Sequence, residues 1–313
     1  MEVKNLTDRA KVIVVKVGDD DIDGLLINHD LNDSGEYEYL EKTFVSEVIR
    51  YLPEYAMGSD PVPSSPVDLI PYLKSAAQSV MKIKNIDEIK RCLDTKIPFD
   101  QWDKKAQNVY LTKGIFSELI LHFLLRTFKN TIPLISKIYF KDSFSHEAHG
   151  FDAVHVSDDQ KLWLGETKFY SDGKQGILAL IDDINEHLKH DYLKDQFIII
   201  SRALDHSNQR REEWIQSLSS ATRLEEKLNM IIVPLLCIYE DKFATNVIEA
   251  INQHKDVDTL CLEHFSALKA YFDKKNNFPN KARVQFILML LPVESKQRIV
   301  SDMLNRIYCM QQI

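Results

Sequence analysis

Glu166 and Lys168 stand two residues apart in the stretch KLWLGETKF, residues 161–169. An acid-x-lysine triplet means little alone. Ten others occur in the chain, beginning at Glu2, Glu88, Asp94, Asp103, Asp159, Asp172, Glu225, Glu240, Asp273 and Glu294, and most fall on solvated helices or turns. The triplet at Glu166 differs because Leu162, Trp163 and Leu164 precede it and Phe169 follows. In a β-strand, residues two apart share a face and lie about 6.6 Å from one another. Leu162, Leu164, Glu166 and Lys168 therefore form one row, apolar at its start and ending in a carboxylate and an ammonium. Asp152, in GFDAVHV, is in phase with Val154 and Val156 on the strand before. A hairpin through residues 157–160 (SDDQ) makes the two strands neighbours, and a suitable register brings Asp152 and Glu166 together. Two carboxylates in a poorly solvated place repel. A divalent cation that prefers hard oxygen ligands, Mg2+ or Mn2+, removes the conflict.

Glu118 is a third acid. It lies in residues 113–128 (KGIFSELILHFLLRTF), which read as a helix apolar almost all round and hence buried. Glu118 and His122, one turn apart, interrupt that surface. A buried carboxylate without a partner costs several kcal/mol, so Glu118 needs either a metal-bound water or a structural partner such as His122. Plainer roles exist for the others: an ion pair for Glu166 and Lys168, the start of a turn for Asp152. His155 falls on the opposite face from Asp152 and reads as a core or surface histidine. Tyr170 reads as a packing residue at a strand end. Lys174 and Gln175 open the next helix and are candidates for DNA contact. Lys137, Lys141, Arg202, Arg210 and Arg211 could form a local basic surface or a solvated face.

The elements that position these residues follow from periodicity. Residues 11–17 (KVIVVKV) read as a strand followed by an acidic turn. Leu40, Phe44, Val48, Ile49 and Leu52 have helical spacing. The proline-rich GSDPVPSSP is a loop, followed by helical patterns at 67–82 and 85–93. Residues 134–140, 150–156 and 161–169 read as consecutive strands. Residues 174–189 form an amphipathic helix with Ile177, Ile181, Ile184 and Leu188 on one face. The runs QFIIIS (196–201) and MIIVPLLCI (230–238) read as buried strands, with Pro234 marking an edge or a bulge. Residues 243–313 read as mostly helical, with breaks at NNFPN and LLPVES.

Composition bounds the function. The chain has 313 residues, 44% of them hydrophobic, and a net charge of −8. A duplex-binding protein usually carries a basic footprint, so any attraction to DNA must be local or supplied by a partner. No apolar run reaches the roughly 20 residues needed to span a bilayer. MEVKNLTDRA lacks the apolar core of a secretory signal. Cys92, Cys237, Cys261 and Cys309 have no CxxC spacing and read as reduced core thiols. These features predict a cytoplasmic protein without membrane attachment.

An acidic helix, then Asp on one strand and Glu-x-Lys on the next, resembles the PD-(D/E)xK nuclease superfamily. The block ISKIYFKDSFSHEAHGFDAVHVSDDQKLWLGETKFYSD is similar to HamA, the nuclease family of the Hachiman antiphage defence system. RYLPEYAMG (50–58), KGIFSELILHFLLR (113–126) and FILMLLPVESK (286–296) match the same family. The resemblance implies an α/β fold: a PD-(D/E)xK-type core, a mixed β-sheet flanked by helices, with N-terminal α/β and C-terminal helical additions. A boundary near residue 105 divides an N-terminal α/β region (1–105) from the nuclease core and its helical extension (106–313). The resemblance further implies that Asp152 and Glu166 ligate Mg2+ (or Mn2+), with the Thr167 carbonyl as a backbone ligand. Glu118 would hold a metal-bound water, and Lys168 would position or deprotonate the attacking water or stabilise phosphate charge. The expected activity is that of a metal-dependent DNA nuclease, a bacterial defence effector controlled by a helicase subunit, HamB. The competing expectation is a catalytically silent nuclease-like adaptor that binds a helicase or a DNA end. Site-specific restriction and RNA cleavage are compatible with the same motifs.

Overall fold

The computed structural model describes residues 13–58, 63–81, 87–134, 150–203, 224–279 and 281–313. Strands β1 (Ile13–Asp19) and β2 (Ile22–Ile27) meet through the acidic turn, and a short hairpin, β3 (His29–Leu31) and β4 (Tyr37–Tyr39), follows. Six helices come next: α1 (Glu41–Arg50), α2 (Leu52–Met57), α3 (Pro66–Val80), α4 (Asp87–Asp94), α5 (Lys104–Leu111) and α6 (Ile115–Phe128). Pro53 falls in the first turn of α2, where its missing N–H costs nothing. Gly58 ends that helix at φ 76°, a region open to glycine.

β5 (Ile132–Pro133), β6 (Ala153–Val156) and β7 (Leu162–Tyr170) lead into α7 (Gly173–His187) and α8 (His190–Ala203). The Asp172 carboxylate caps α7 by accepting the Gln175 N–H. After α9 (Leu224–Leu228) come β8 (Ile231–Glu240), α10 (Phe243–Asn252), α11 (Val257–Lys275), β9 (Gln285–Val293) and α12 (Lys296–Gln312). Seven described strands form one mixed sheet in the order β1-β2-β9-β8-β7-β6-β5. β2, β9, β8 and β7 run parallel; β1 at one end and β6 and β5 at the other pair antiparallel.

Helices cover both faces, as the long apolar strands require. One core joins Trp163, Phe169, Leu236 and Met289 of the sheet to Phe44 and Val48 of α1, Phe116 and Leu121 of α6, and Met303 of α12. The other joins Leu162, Leu164, Leu235 and Leu288 to Ile177 and Ile181 of α7, Phe197 of α8 and Phe265 of α11. The sheet and the first core thus draw on residues from both sides of position 105. Among the described residues no helix is long and apolar enough to cross a membrane.

Several sequence expectations need correction. QFIIIS is not a strand: it lies in α8, which buries Leu193, Phe197 and Ile200 on one face and leaves Ile198 exposed. Its apolar run is the inner stripe of a helix plus one outward isoleucine. Pro234 sits at neither an edge nor a bulge. β8 lies inside the sheet, and its β7 ladder skips the pairs at Val233 and Pro234 while the register is the same before and after. Proline has no N–H to give, so the ladder pauses without shifting. FILMLLPV is not helical; it is β9, paired on both sides by β2 and β8. Cys309 is exposed, whereas Cys92, Cys237 and Cys261 are buried free thiols. The strand expected at 134–140 lies outside the described residues beyond Leu134.

Candidate active site

The hairpin expected through residues 157–160 is present and fixes the register of the two motif strands. Gln160 takes φ 60° in its turn, and the Ser157 N–H donates to the Lys161 carbonyl at 3.2 Å. β6 and β7 pair Val154 with Leu164 and Ala153 with Gly165. Continued one step past the end of the ladder, that register brings Asp152 level with Glu166. Directly opposed residues of an antiparallel pair share a face, and this face is that of Val154, Val156, Leu162 and Leu164. Where the ladder stops, Asp152 Oδ2 accepts the Thr167 backbone N–H at 2.9 Å.

The partners of the other two motif residues come from α7. Glu166 is only 2% exposed, and a carboxylate so deep requires polar contacts. His187 Nδ1 lies 2.6 Å from its Oε1. Lys168 Nζ lies 2.5 Å from Asp183 Oδ2. Asp183 and His187 are four residues apart, one above the other on the helix. Ile177, Ile181 and Ile184 seat α7 on the sheet. Gly176 allows the close approach, since a Cβ there would lie 2.6 Å from Cys237 Sγ on β8.

These contacts set the electrostatics. Burial opposes the charge on Lys168, but the Asp183 carboxylate, helped by Asp152 and Glu166, holds its pKa above the ordinary lysine value. Burial brings His187 below the ordinary histidine value against the opposing pull of Asp183 and Asp152. Its ring stacks on Tyr192 at 4.6 Å, with Phe151 edge-on to both. The Tyr192 phenol is pushed up by burial and then by Glu166, Asp152 and Asp183. Asp152, Glu166, Lys168, Asp183, His187 and Tyr192 therefore form one electrostatic cluster at the end of β7.

Glu118 approaches from the other face of the sheet. Its helix α6 lies against β7, where a Cβ on Gly165 would come within 2.8 Å of Leu121. Glu118 is 9% exposed in the first turn of α6, and the Tyr55 hydroxyl of α2 donates to its Oε2. The Tyr55 phenol is held well above its ordinary value by burial first, then by the charges of Glu118 and Asp152. The pairing of Glu118 with His122 does not occur in the structure. His122 instead meets Glu54 at 3.1 Å and His155 at 3.0 Å. Of the two readings left open for His155, core or surface, the structure shows the core one, with Nδ1 2.9 Å from Thr131 Oγ1.

Asp183, His187, Tyr192 and Tyr55 were not singled out from the sequence. The first two had a signal: polar positions at helical spacing beside the apolar stripe of 174–189. Tyr55 and Tyr192 had none, because tertiary packing alone brings them in. Tyr170 ends β7 partly exposed. Lys174 lies over the Tyr271 ring at 5.6 Å, and Gln175 is exposed. Lys137, Lys141, Arg210, Arg211 and the side chain of Arg202 lie outside the described residues.

The donors suit a hard cation. Asp152 and Glu166 offer carboxylates from neighbouring segments, and Thr167 Oγ1, between Glu166 and Lys168 in sequence, is a buried oxygen with no hydrogen-bond partner among the described residues. Among the described residues no three His, Cys, Asp or Glu side chains form a ready cage. Mg2+ does not need one, since it commonly binds through one or two carboxylates and keeps several waters.

Residues 7–307 match the family model described as HamA. The matched range contains every site residue named above and all nine described strands. No curated protein matches the chain.

Proposed function

From the premise that the chain belongs to the HamA family of the Hachiman antiphage defence system, we propose that it is a Mg2+-dependent DNA nuclease with a PD-(D/E)xK-type core. The observation that carries this reading is the β6–β7 register, which, continued one step past Ala153 and Gly165, brings Asp152 level with Glu166, where Asp152 Oδ2 accepts the Thr167 N–H; Lys168 follows two residues along the Glu166 face. Asp152, Glu166 and the Thr167 carbonyl would hold the metal, and Glu118 would orient a water beside it. When bound, Mg2+ (or Mn2+) would supply Lewis-acid polarisation of a phosphodiester and a more acidic water. Lys168, an ammonium beside Asp183, is suited to a phosphate oxygen in the charge-developing transition state.

The acidic chain, at −8, is poorly suited to holding DNA alone. That supports a nuclease delivered to DNA by a partner, and by the sequence resemblance the partner is the helicase HamB. One observation favours the adaptor reading: Glu166 and Lys168 already have protein partners in His187 and Asp183. Cleavage assays separate the two readings. The chain, co-purified with its helicase and supplied with ATP and Mg2+, is expected to cut linear or plasmid DNA. Glu166→Ala and Lys168→Ala are expected to abolish cutting. An adaptor would cut in neither form and would protect cells from phage equally well as Asp152→Ala.

A further inference from the structure

The titratable residues of helix α6, Glu118, His122 and Arg126, stand in one stripe at four-residue spacing. Two adjacent residues of α2 contact all three. Tyr55 donates to Glu118 and sets its ring edge-on to His122 at 5.6 Å. Glu54 meets His122 Nε2 at 3.1 Å and accepts from Arg126 Nε at 2.8 Å. His122 passes the contact on to His155 of β6. The Glu54 bridges fix the rotation of α2 against α6, and that rotation fixes where the Tyr55 hydroxyl points.

We infer that Tyr55 is a positioning residue of the proposed nuclease site, its hydroxyl fixing the orientation of the Glu118 carboxylate, so that α2 of the N-terminal region contributes to the catalytic centre. This rests on the nuclease reading above. Packing alone does not account for a tyrosine. Tyr55 is 6% exposed, and a phenylalanine would fill the same space without burying a hydroxyl. The partner of that hydroxyl is a carboxylate in the first turn of α6, Glu118. A short stem and a charge-assisted bond fix orientation better than a mobile water would. Partners one step removed from a metal centre typically change affinity or activity by about 10- to 100-fold when removed.

The test uses the full chain with its helicase partner, in four forms: wild type, Tyr55→Phe, Glu118→Gln and the double variant. Single-turnover cleavage is measured across a Mn2+ series, and Mn2+ binding without DNA is measured by calorimetry. Y55F is expected to slow cleavage about 10- to 100-fold and to weaken Mn2+ binding. Its effect is expected to vanish in the E118Q background, because Tyr55 acts only through Glu118. Wild-type rate and Mn2+ affinity in Y55F, beside a clear loss in E118Q, would overturn the inference. So would a Y55F loss that multiplies fully with the E118Q loss. If cleavage survives in both Glu166→Ala and Lys168→Ala, the nuclease site itself is misassigned and the Tyr55 role falls with it. If it is lost in those variants but unaffected by Y55F, only the Tyr55 role fails.

Discussion

Lys168 and Glu166 each meet a side chain of α7, and those two contacts decide how the motif residues are presented. Asp183 sits 2.5 Å from the Lys168 ammonium. Removing the carboxylate leaves a half-buried lysine free to choose other rotamers. Asp183→Asn is expected to lower the single-turnover cleavage rate about tenfold, while costing only about 1 kcal/mol in urea unfolding, the scale of a partly exposed ion pair. A large stability loss with an unchanged rate would show Asp183 to be structural only. The trio Asp152, Glu166 and Lys168 was legible in the sequence because strand periodicity is short-range: two-residue alternation puts them on one face, and a four-residue turn makes the strands neighbours. Asp183, His187 and Tyr55 were not legible as site residues. Asp183 and His187 carry only the weak local signal of polar positions at helical spacing beside an apolar stripe, and Tyr55 reaches the site through packing between distant elements, which nothing in its own neighbourhood encodes.

Two features at the scale of elements fix where the site can form. The first is the buried histidine pair that ties α6 to β6. Burial holds His155 well below the ordinary histidine value, with His122 and Arg126 adding to the shift, and burial also lowers His122 despite the facing Glu54. The unfolded chain protonates both near the ordinary value of about 6.5, whereas the folded chain resists until lower pH. Stability is therefore full above that value and is lost as pH falls below it toward the folded values. Urea midpoints between pH 7.5 and pH 5 are expected to fall in wild type and to fall less steeply in His155→Gln. Equal slopes in the two proteins would contradict this. The second feature is Gly165, where a Cβ would lie 2.8 Å from Leu121, 3.2 Å from Ala153 and 3.3 Å from Pro234. Three elements close on one point, so Gly165→Ala is expected to cost about 1–3 kcal/mol, read by chemical denaturation, and to slow cleavage by spreading β6 from β7. Apolar runs are where element type was hardest to read. QFIIIS and FILMLLPV are alike in composition, yet one is the stripe of α8 and the other is β9. A short apolar run fits either a buried strand or a buried helix face, and only its neighbours decide.

At the scale of the whole molecule, one sheet binds the two ends of the chain around the site. β2, from near the N-terminus, pairs with β9, from near the C-terminus, and β9 pairs with β8 beside the motif strand β7. The order of elements read from periodicity, with the family resemblance, predicted an α/β fold with a mixed sheet, and that is present. The placement of β9 was not legible, since parallel neighbours distant in sequence leave no local trace. The acidic balance of the molecule, at −8, makes dependence on a partner part of the proposed account. The most direct measurement of that account is DNA cleavage by the chain co-purified with its helicase, with Mg2+ and ATP, in wild type and in Asp152→Ala, Glu166→Ala and Lys168→Ala. The expected result is cutting by wild type that stops on chelation of the metal and is lost in all three variants. Cutting that continues undiminished in the variants, or no cutting by the activated wild-type complex, would contradict it.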